Sequence, residues 1–383
     1  MFALVYAYYC IMPIYTSAGK GYELANDSAE NLFCVGALLS YIGILMGFSI
    51  NVKPSFEKWN TYFTANNSQQ YATIFFLIAF VAYSSLRGIH FSIFADERNE
   101  TELTHYGLEH YLLNLIVLYE IAVCLYLIKN KSERSFSFRY YYLIIIYIII
   151  GFLFAGTRSR IVYLALAGVT VFYLYPKPKR MNYPLIMSMG VALFLLFSAM
   201  DSTRSYSAGI NKESMSQLTY DDIKYGAAEN YVVHIYSAKV MEMYSNNSDF
   251  IYFEPILTAA LSPLPRIIFP WKPDFSYLIE PQILIQGRVD GAIFINFTEG
   301  YISFGWLGVF IYGLFLGWLS KRYWANYQRN PNSIGAIIAL ALWNGFTYVV
   351  ISRGSMASAL TNYVLTICLP FWIAGWTKNL INK

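Results

Sequence analysis

Apolar blocks of about 16 to 21 residues recur from one end of the chain to the other, and nothing else limits its fold so strongly. A helix rises about 1.5 Å per residue, so blocks of this length match the roughly 30 Å hydrocarbon core of a bilayer. Reading each block to its polar or charged borders gives ten expected spans, at about 1–16, 32–50, 71–88, 111–128, 140–156, 161–176, 183–199, 301–320, 334–352 and 357–376. Of the 383 residues, 57% are apolar and 13% charged, where an ordinary soluble domain has roughly 25% charged. A typical cytosolic enzyme is thereby excluded. The 35 Tyr, 28 Phe and 8 Trp suit many membrane–water boundaries, where an amphipathic ring is stable. The expected fold is an all-α polytopic membrane protein of about ten transmembrane helices. Helices 1–7 occupy 1–199, a large loop 200–300, and helices 8–10 occupy 301–383.

Charge orients these spans. With the N-terminus cytoplasmic, the inner loops hold Lys53, Lys58, Lys129, Lys131, Arg134, Arg139, Lys177, Lys179, Arg180, Lys321, Arg322, Arg329, Lys378 and Lys383. The short outer loops hold only Lys20, Arg87, Arg98, Arg158, Arg160 and Arg353. The positive-inside rule therefore places both termini in the cytoplasm and the 200–300 segment outside. The apolar start lacks a cationic region and a small-residue cleavage site, so it is expected to be a retained first helix. The long outer segment is rich in Tyr and Phe and punctuated by Pro, which points to an ordered extracytoplasmic subdomain. Within it, Val232, Val233, Tyr236, Val240, Met243 and Tyr244 recur near a 3.6-residue period and predict a helix over 229–244.

Several chemistries are disfavoured at once. The net charge of +4 comes without a dense basic stripe, so nucleic acid is not the expected partner. There is no Walker loop, HExxH, CxxC or GxSxG. Cys10, Cys34, Cys124 and Cys368 stand in apolar blocks and read as small core residues. His90, His105, His110 and His234 are expected at the outer surface, and no metal site is visible.

The choice of cation on each face is more informative. Outer segments carry eight Arg to five Lys, inner loops five Arg to nine Lys. Orientation needs only positive charge, whereas a planar guanidinium matches phosphate oxygens bidentately. Arg158 and Arg160 in GTRSR sit at the outer end of a tight hairpin, and Arg353 lies in SRGS between the last two spans. LSPLPRIIFPWKPDF, at 261–275, has prolines that forbid a continuous helix and stiffen the loop around Arg266. QGRVDGAIFINFTEGYISFGWLG, at 286–308, places Arg288, Asp290 and Glu299 at the entry to the eighth span. Glu299 fits a general base or an arginine partner. Glu120, with Asn114 nearby, is the one acid inside an expected span and reads as a structural hydrogen bond or a proton path. Asp96-Glu97 in an outer loop is a weaker acidic pair.

GTRSR opening a span, PLPR…FPWKP after a long outer segment, and TEGYISFGWLG leading into the next span resemble the oligosaccharide repeat-unit polymerases, the Wzy family of O-antigen and capsule synthesis. The layout is similar over nearly the whole chain. This resemblance implies a glycosyltransferase of the bacterial cytoplasmic membrane with its active face in the periplasm. It would join a growing glycan on polyprenyl pyrophosphate to a new lipid-linked repeat unit, beside a flippase and a chain-length regulator of the same pathway. Arginines that stabilise charge developing on the leaving pyrophosphate remove the need for a metal or other cofactor. Arg158, Arg160, Arg266 and Arg353 are then assigned to pyrophosphate, Arg204 and Arg288 to phosphate or sugar, and Glu299 or Asp290 to the acceptor proton. Two alternatives stay open: an O-antigen ligase or other lipid-linked sugar transferase, and a lipid-linked oligosaccharide flippase.

Overall fold

The structure, a computed structural model, describes residues 2–20, 24–53, 56–87, 115–132, 158–175, 183–184, 204–205, 209–210, 216, 228–247, 250–261, 269–271, 276–286, 294–352 and 355–381. These residues are mostly helical, and they form two compact units, each assembled from three stretches of chain. Among them, four helices are long and apolar enough to cross a membrane: Asp27–Ser49, Asn296–Arg329, Ile334–Ser352 and Ala359–Asn379. Ser68–Ala82 and Val162–Leu174 are apolar but shorter. The chain thus carries the helices of a membrane protein. The spans expected at 140–156 and 183–199 lie outside the described residues, except for the helical pair 183–184.

The first unit comprises Met1–Val52, Tyr220–Arg322 and Thr347–Thr361. Its first expected span is two nine-residue helices, α1 (Phe2–Cys10) and α2 (Met12–Lys20), each about 14 Å long and too short to cross alone. Pro13 explains the break, because it has no N–H to give to the carbonyl four residues before it, that of Tyr9. Helix α3 (Asp27–Ser49) opens on an Asn26 cap, whose side-chain oxygen accepts from the Ala29 N–H at 2.9 Å. Its exposed Val35, Leu38, Ile42 and Leu45 suit acyl chains, and Cys34, expected in a core, is exposed on this helix as well.

Later in the same unit come α4 (Ala228–Asn247), α5 (Glu254–Leu261), α6 (Ser276–Gln286) and α7 (Asn296–Arg329). The helix expected over 229–244 is therefore present, and it packs against α1, α2, α3 and α6. Helix α7 is broken inside: Phe304 and Gly305 leave helical geometry, Gly305 with φ +60. The chain turns so sharply there that Gly300 and Gly308, eight residues apart, meet backbone to backbone. Two carbonyls beside the break, those of Ile302 and Ser303, accept instead from the N–H groups of Ile251 (2.9 Å) and Tyr252 (3.1 Å).

Helices α3 and α7 approach almost to backbone contact. A methyl group added at Gly43 or Gly47 would meet the carbonyls of Phe310 and Leu314, and one at Gly313 or Gly317 those of Ser40 and Ile44. Each helix thus brings a Gly-x-x-x-Gly pair to the crossing, the small-residue pattern by which helices pack closely in lipid.

The second unit comprises Lys53–Thr219, Tyr323–Phe346 and Asn362–Lys383. It contains α8 (Ser68–Arg87), α9 (Leu118–Ser132) and α10 (Arg158–Leu174), packed in succession. It also holds most of α11 (Ile334–Ser352), which is buried from Ala336 to Trp343, and α12 (Leu369–Ile381). A ladder of rings, Phe371–Trp59–Phe56–Tyr323–Trp343, stacks with centroids 4.3 to 5.1 Å apart. The amides of Asn60 and Asn326 donate reciprocally to each other at 3.0 Å. Before α12 the chain widens to a π-turn at Val364–Cys368, where the Leu369 N–H reaches Val364 because Pro370 interrupts the regular ladder.

Candidate functional site

The entry to α7 is unusually polar for the start of an apolar helix: Asn296, Thr298, Glu299 and Ser303 are all buried. Glu299, 1% exposed, is the centre of this group. Its Oε1 accepts from the Tyr277 hydroxyl at 3.0 Å and from the Met356 N–H at 3.0 Å, and its Oε2 accepts from the same N–H at 2.7 Å. Met356 opens the short helix α13 (Met356–Tyr363), whose first N–H groups have no partner within the helix. A carboxylate there satisfies one orphan donor and complements the helix dipole.

Tyr277, on α6, extends the network into the long loop. Burial, with the Glu299 charge beside it, pushes its hydroxyl well above the ordinary phenol range, so it remains a donor. Ser355, also buried, is a further hydrogen-bond partner of Tyr277. Two motifs more than fifty residues apart in sequence thus meet: TEGYISFGWLG supplies the carboxylate, and the residues just after SRGS supply the amide it holds. Arg353 itself, three residues before Met356, lies outside the described residues, as do Arg266, Arg288 and Asp290. With both oxygens engaged, Glu299 fixes backbone in this geometry, and it gains basic reach only when one of those bonds opens.

In the second unit, Arg158 and Arg160 fall in the first turn of α10. That turn has no acidic residue, and a helix start with orphan N–H groups favours anions. Arg204 lies in a two-residue strand, Arg204–Ser205, paired antiparallel with Gly209–Ile210. Glu120 is buried in the first turn of α9, while Asn114, Asp96 and Glu97 are outside the described residues.

His234 corrects an expectation. It is buried in the first unit and not on an outer surface, with its ring set between the Tyr9 carbonyl and the Glu30 carboxylate. Its Nδ1 lies 3.1 Å from the Tyr9 carbonyl, which has no Pro13 N–H to accept. A carbonyl only accepts, so Nδ1 carries a hydrogen. Nε2 faces Glu30 Oε2 at 2.8 Å. The Phe33 ring packs 4.1 Å from the imidazole, and Glu30 Oε1 accepts from the Ala25 N–H. His90, His105 and His110 lie outside the described residues.

Among the described residues of the first unit, five buried polar atoms find no hydrogen-bond partner: Asn230 Nδ2, Asn296 Nδ2, Thr258 Oγ1, Thr298 Oγ1 and Ser352 Oγ. Asn296 uses its other end, accepting from the Tyr6 hydroxyl at 3.4 Å. Among the described residues no group of three His, Cys, Asp or Glu side chains could hold a metal ion. No family model, no curated protein and no solved structure matches this chain.

Proposed function

We propose that this chain is a membrane glycosyltransferase that polymerises polyprenyl-pyrophosphate-linked repeat units into O-antigen or capsular polysaccharide at the periplasmic face. The observation that supports it most is the Glu299–Met356 pair, which links TEGYISFGWLG to the residue that follows SRGS within one unit. Arg353 stands three residues before that anchored amide in the sequence, and charge stabilisation requires a guanidinium held in a fixed pose.

In the reaction, the acceptor hydroxyl attacks the anomeric carbon of the donor, the bond from that carbon to the pyrophosphate oxygen breaks, and polyprenyl pyrophosphate leaves. Negative charge grows on the leaving oxygens. Arg266, Arg288 and Arg353 meet it with guanidinium forks, and Arg158, Arg160 and Arg204 supply further phosphate-binding charge. Asp290 or Glu299 takes the acceptor proton, and Glu299 also holds the backbone that follows Arg353. No metal enters this scheme.

The test is the glycan ladder of the source cell with the gene deleted, then restored as wild type or Arg266→Ala. Loss of the long ladder with a single repeat unit still attached is expected on deletion. Only the wild-type gene should bring the ladder back. Disappearance of every repeat unit would move a ligase or flippase ahead, and an unchanged ladder would refute the proposal.

A further inference from the structure

Helices α5 and α6 belong by sequence to the long outer segment, yet their free faces are apolar. On α5, Pro255, Thr258 and Ala259 are buried, while Ile256 and Leu257 are exposed, continued just upstream by exposed Phe253. On α6, Tyr277 is packed inward with Tyr236, Phe294 and Ile302, whereas Ile279, Ile283 and Leu284 are exposed, with Glu280 the one acid among them. Phe253, Ile256 and Leu257 fall at i, i+3 and i+4, and Ile279, Ile283 and Leu284 at i, i+4 and i+5, each set on one side of a helix of eight or eleven residues, too short to span. Trp271, between the two helices, is 68% exposed.

The position of the patch says what covers it. Phe253 packs on Phe304 with ring centroids 5.0 Å apart, and Ile251 and Tyr252 bond the carbonyls at the break in α7. Immediately beyond that break, α7 exposes Leu307, Ile311 and Phe315, one every four residues, along a helix long and apolar enough to cross the membrane. The free face of α5 therefore continues from the lipid-facing stripe of a span. We infer that α5 and α6 lie in the bilayer interface, with Phe253, Ile256, Leu257, Ile279, Ile283 and Leu284 in contact with acyl chains and Trp271 at headgroup level. Part of the long outer segment is then monotopic and not a solvated cap. The occupant is the lipid bilayer itself. This inference needs only the membrane setting and not the proposed reaction.

The experiment uses full-length protein in lipid nanodiscs, with Cys10, Cys34, Cys124 and Cys368 replaced by alanine. A spin label is placed through Phe253→Cys, Ile256→Cys or Leu284→Cys, with Leu307→Cys on α7 as the lipid reference and Asn246→Cys at the exposed end of α4 as the water reference. Oxygen concentrates in acyl chains and a nickel chelate in water. The expected result is an oxygen-to-nickel collision ratio severalfold above that of the Asn246 label and close to that of the Leu307 label. A nickel-favoured ratio would overturn the inference. So would protection from both reagents, which would mean that a second copy or another protein covers the patch. If the labelled variants do not fold, unlabelled protein is compared with Trp271→Phe in lipids brominated high on the acyl chain. A clear loss of bromine quenching in the variant is expected, and unchanged quenching would overturn the inference.

Discussion

Glu299 joins three segments through two donors, so its substitution should be felt in each. Glu299→Ala takes the carboxylate acceptor from the half-buried Met356 N–H and the buried Tyr277 hydroxyl together, at a summed cost of about 2–4 kcal/mol. Tyr277→Phe removes the hydroxyl's bonds to Glu299 and Ser355 but leaves the Met356 amide paired with the carboxylate, and should cost about 1–2 kcal/mol. Thermal unfolding in detergent measures both, and equal losses would contradict the network. The His234–Glu30 pair calls for a cycle. His234→Ala strands a carboxylate that is only one-fifth exposed, at about 3 kcal/mol. Glu30→Gln should lose most of its own effect in the His234→Ala background, with a coupling of about 1–3 kcal/mol; additive losses would mean that the pair is incidental. Glu299 was legible in the sequence because a carboxylate at the mouth of an apolar helix is conspicuous. Met356 was not, since it contributes a backbone N–H that any residue would have. His234 reads as a surface residue because its Glu30 partner lies 204 positions away and nothing local in the sequence connects it to the Tyr9 carbonyl.

At the scale of elements, the crossing of α3 and α7 is the most demanding contact. Gly47→Val or Gly317→Val places side-chain carbons where the facing helix has its carbonyls. The helices must then separate, with a loss of at least about 1–3 kcal/mol from overpacking. Leu45→Val, on the exposed side of α3, should cost far less. Unfolding temperatures of the three variants check this, and a Gly317→Val protein as stable as Leu45→Val would contradict the crossing. Gly305→Ala is a separate case. Its φ of +60 with ψ of −146 is a conformation essentially reserved for glycine and costs an L-residue about 1–3 kcal/mol, and the Phe250 ring stands 3.3 Å from the new carbon. The glycine spacings GILMG and GLFLG are visible in the sequence, but which helix meets which is not, because spacing marks a close-packing face without naming its partner. The span at 334–352 coincides with Ile334–Ser352, since polar residues border it on both sides in the sequence. The one expected at 1–16 divides, because apolar content alone does not register the donor that Pro13 lacks.

For the whole molecule, the charge distribution predicts sidedness. A cysteine introduced at Asn246 should react with a membrane-impermeant maleimide in intact cells, and one at Gln328 only after permeabilisation; the reverse pattern would invert the topology. Hydropathy made the membrane setting readable, whereas the two discontinuous units were hidden, because each gathers three stretches that no local pattern connects. The central claim is chemical and is tested most directly with purified protein in nanodiscs, given a synthetic polyprenyl-pyrophosphate-linked repeat unit in the presence of EDTA. The account predicts a ladder of lipid-linked oligomers, one polyprenyl pyrophosphate released per bond formed, and severe loss of both with Arg158→Lys and Arg266→Lys, which keep charge but lose the bidentate fork. An unchanged substrate, or wild-type rates in both lysine variants, would contradict it.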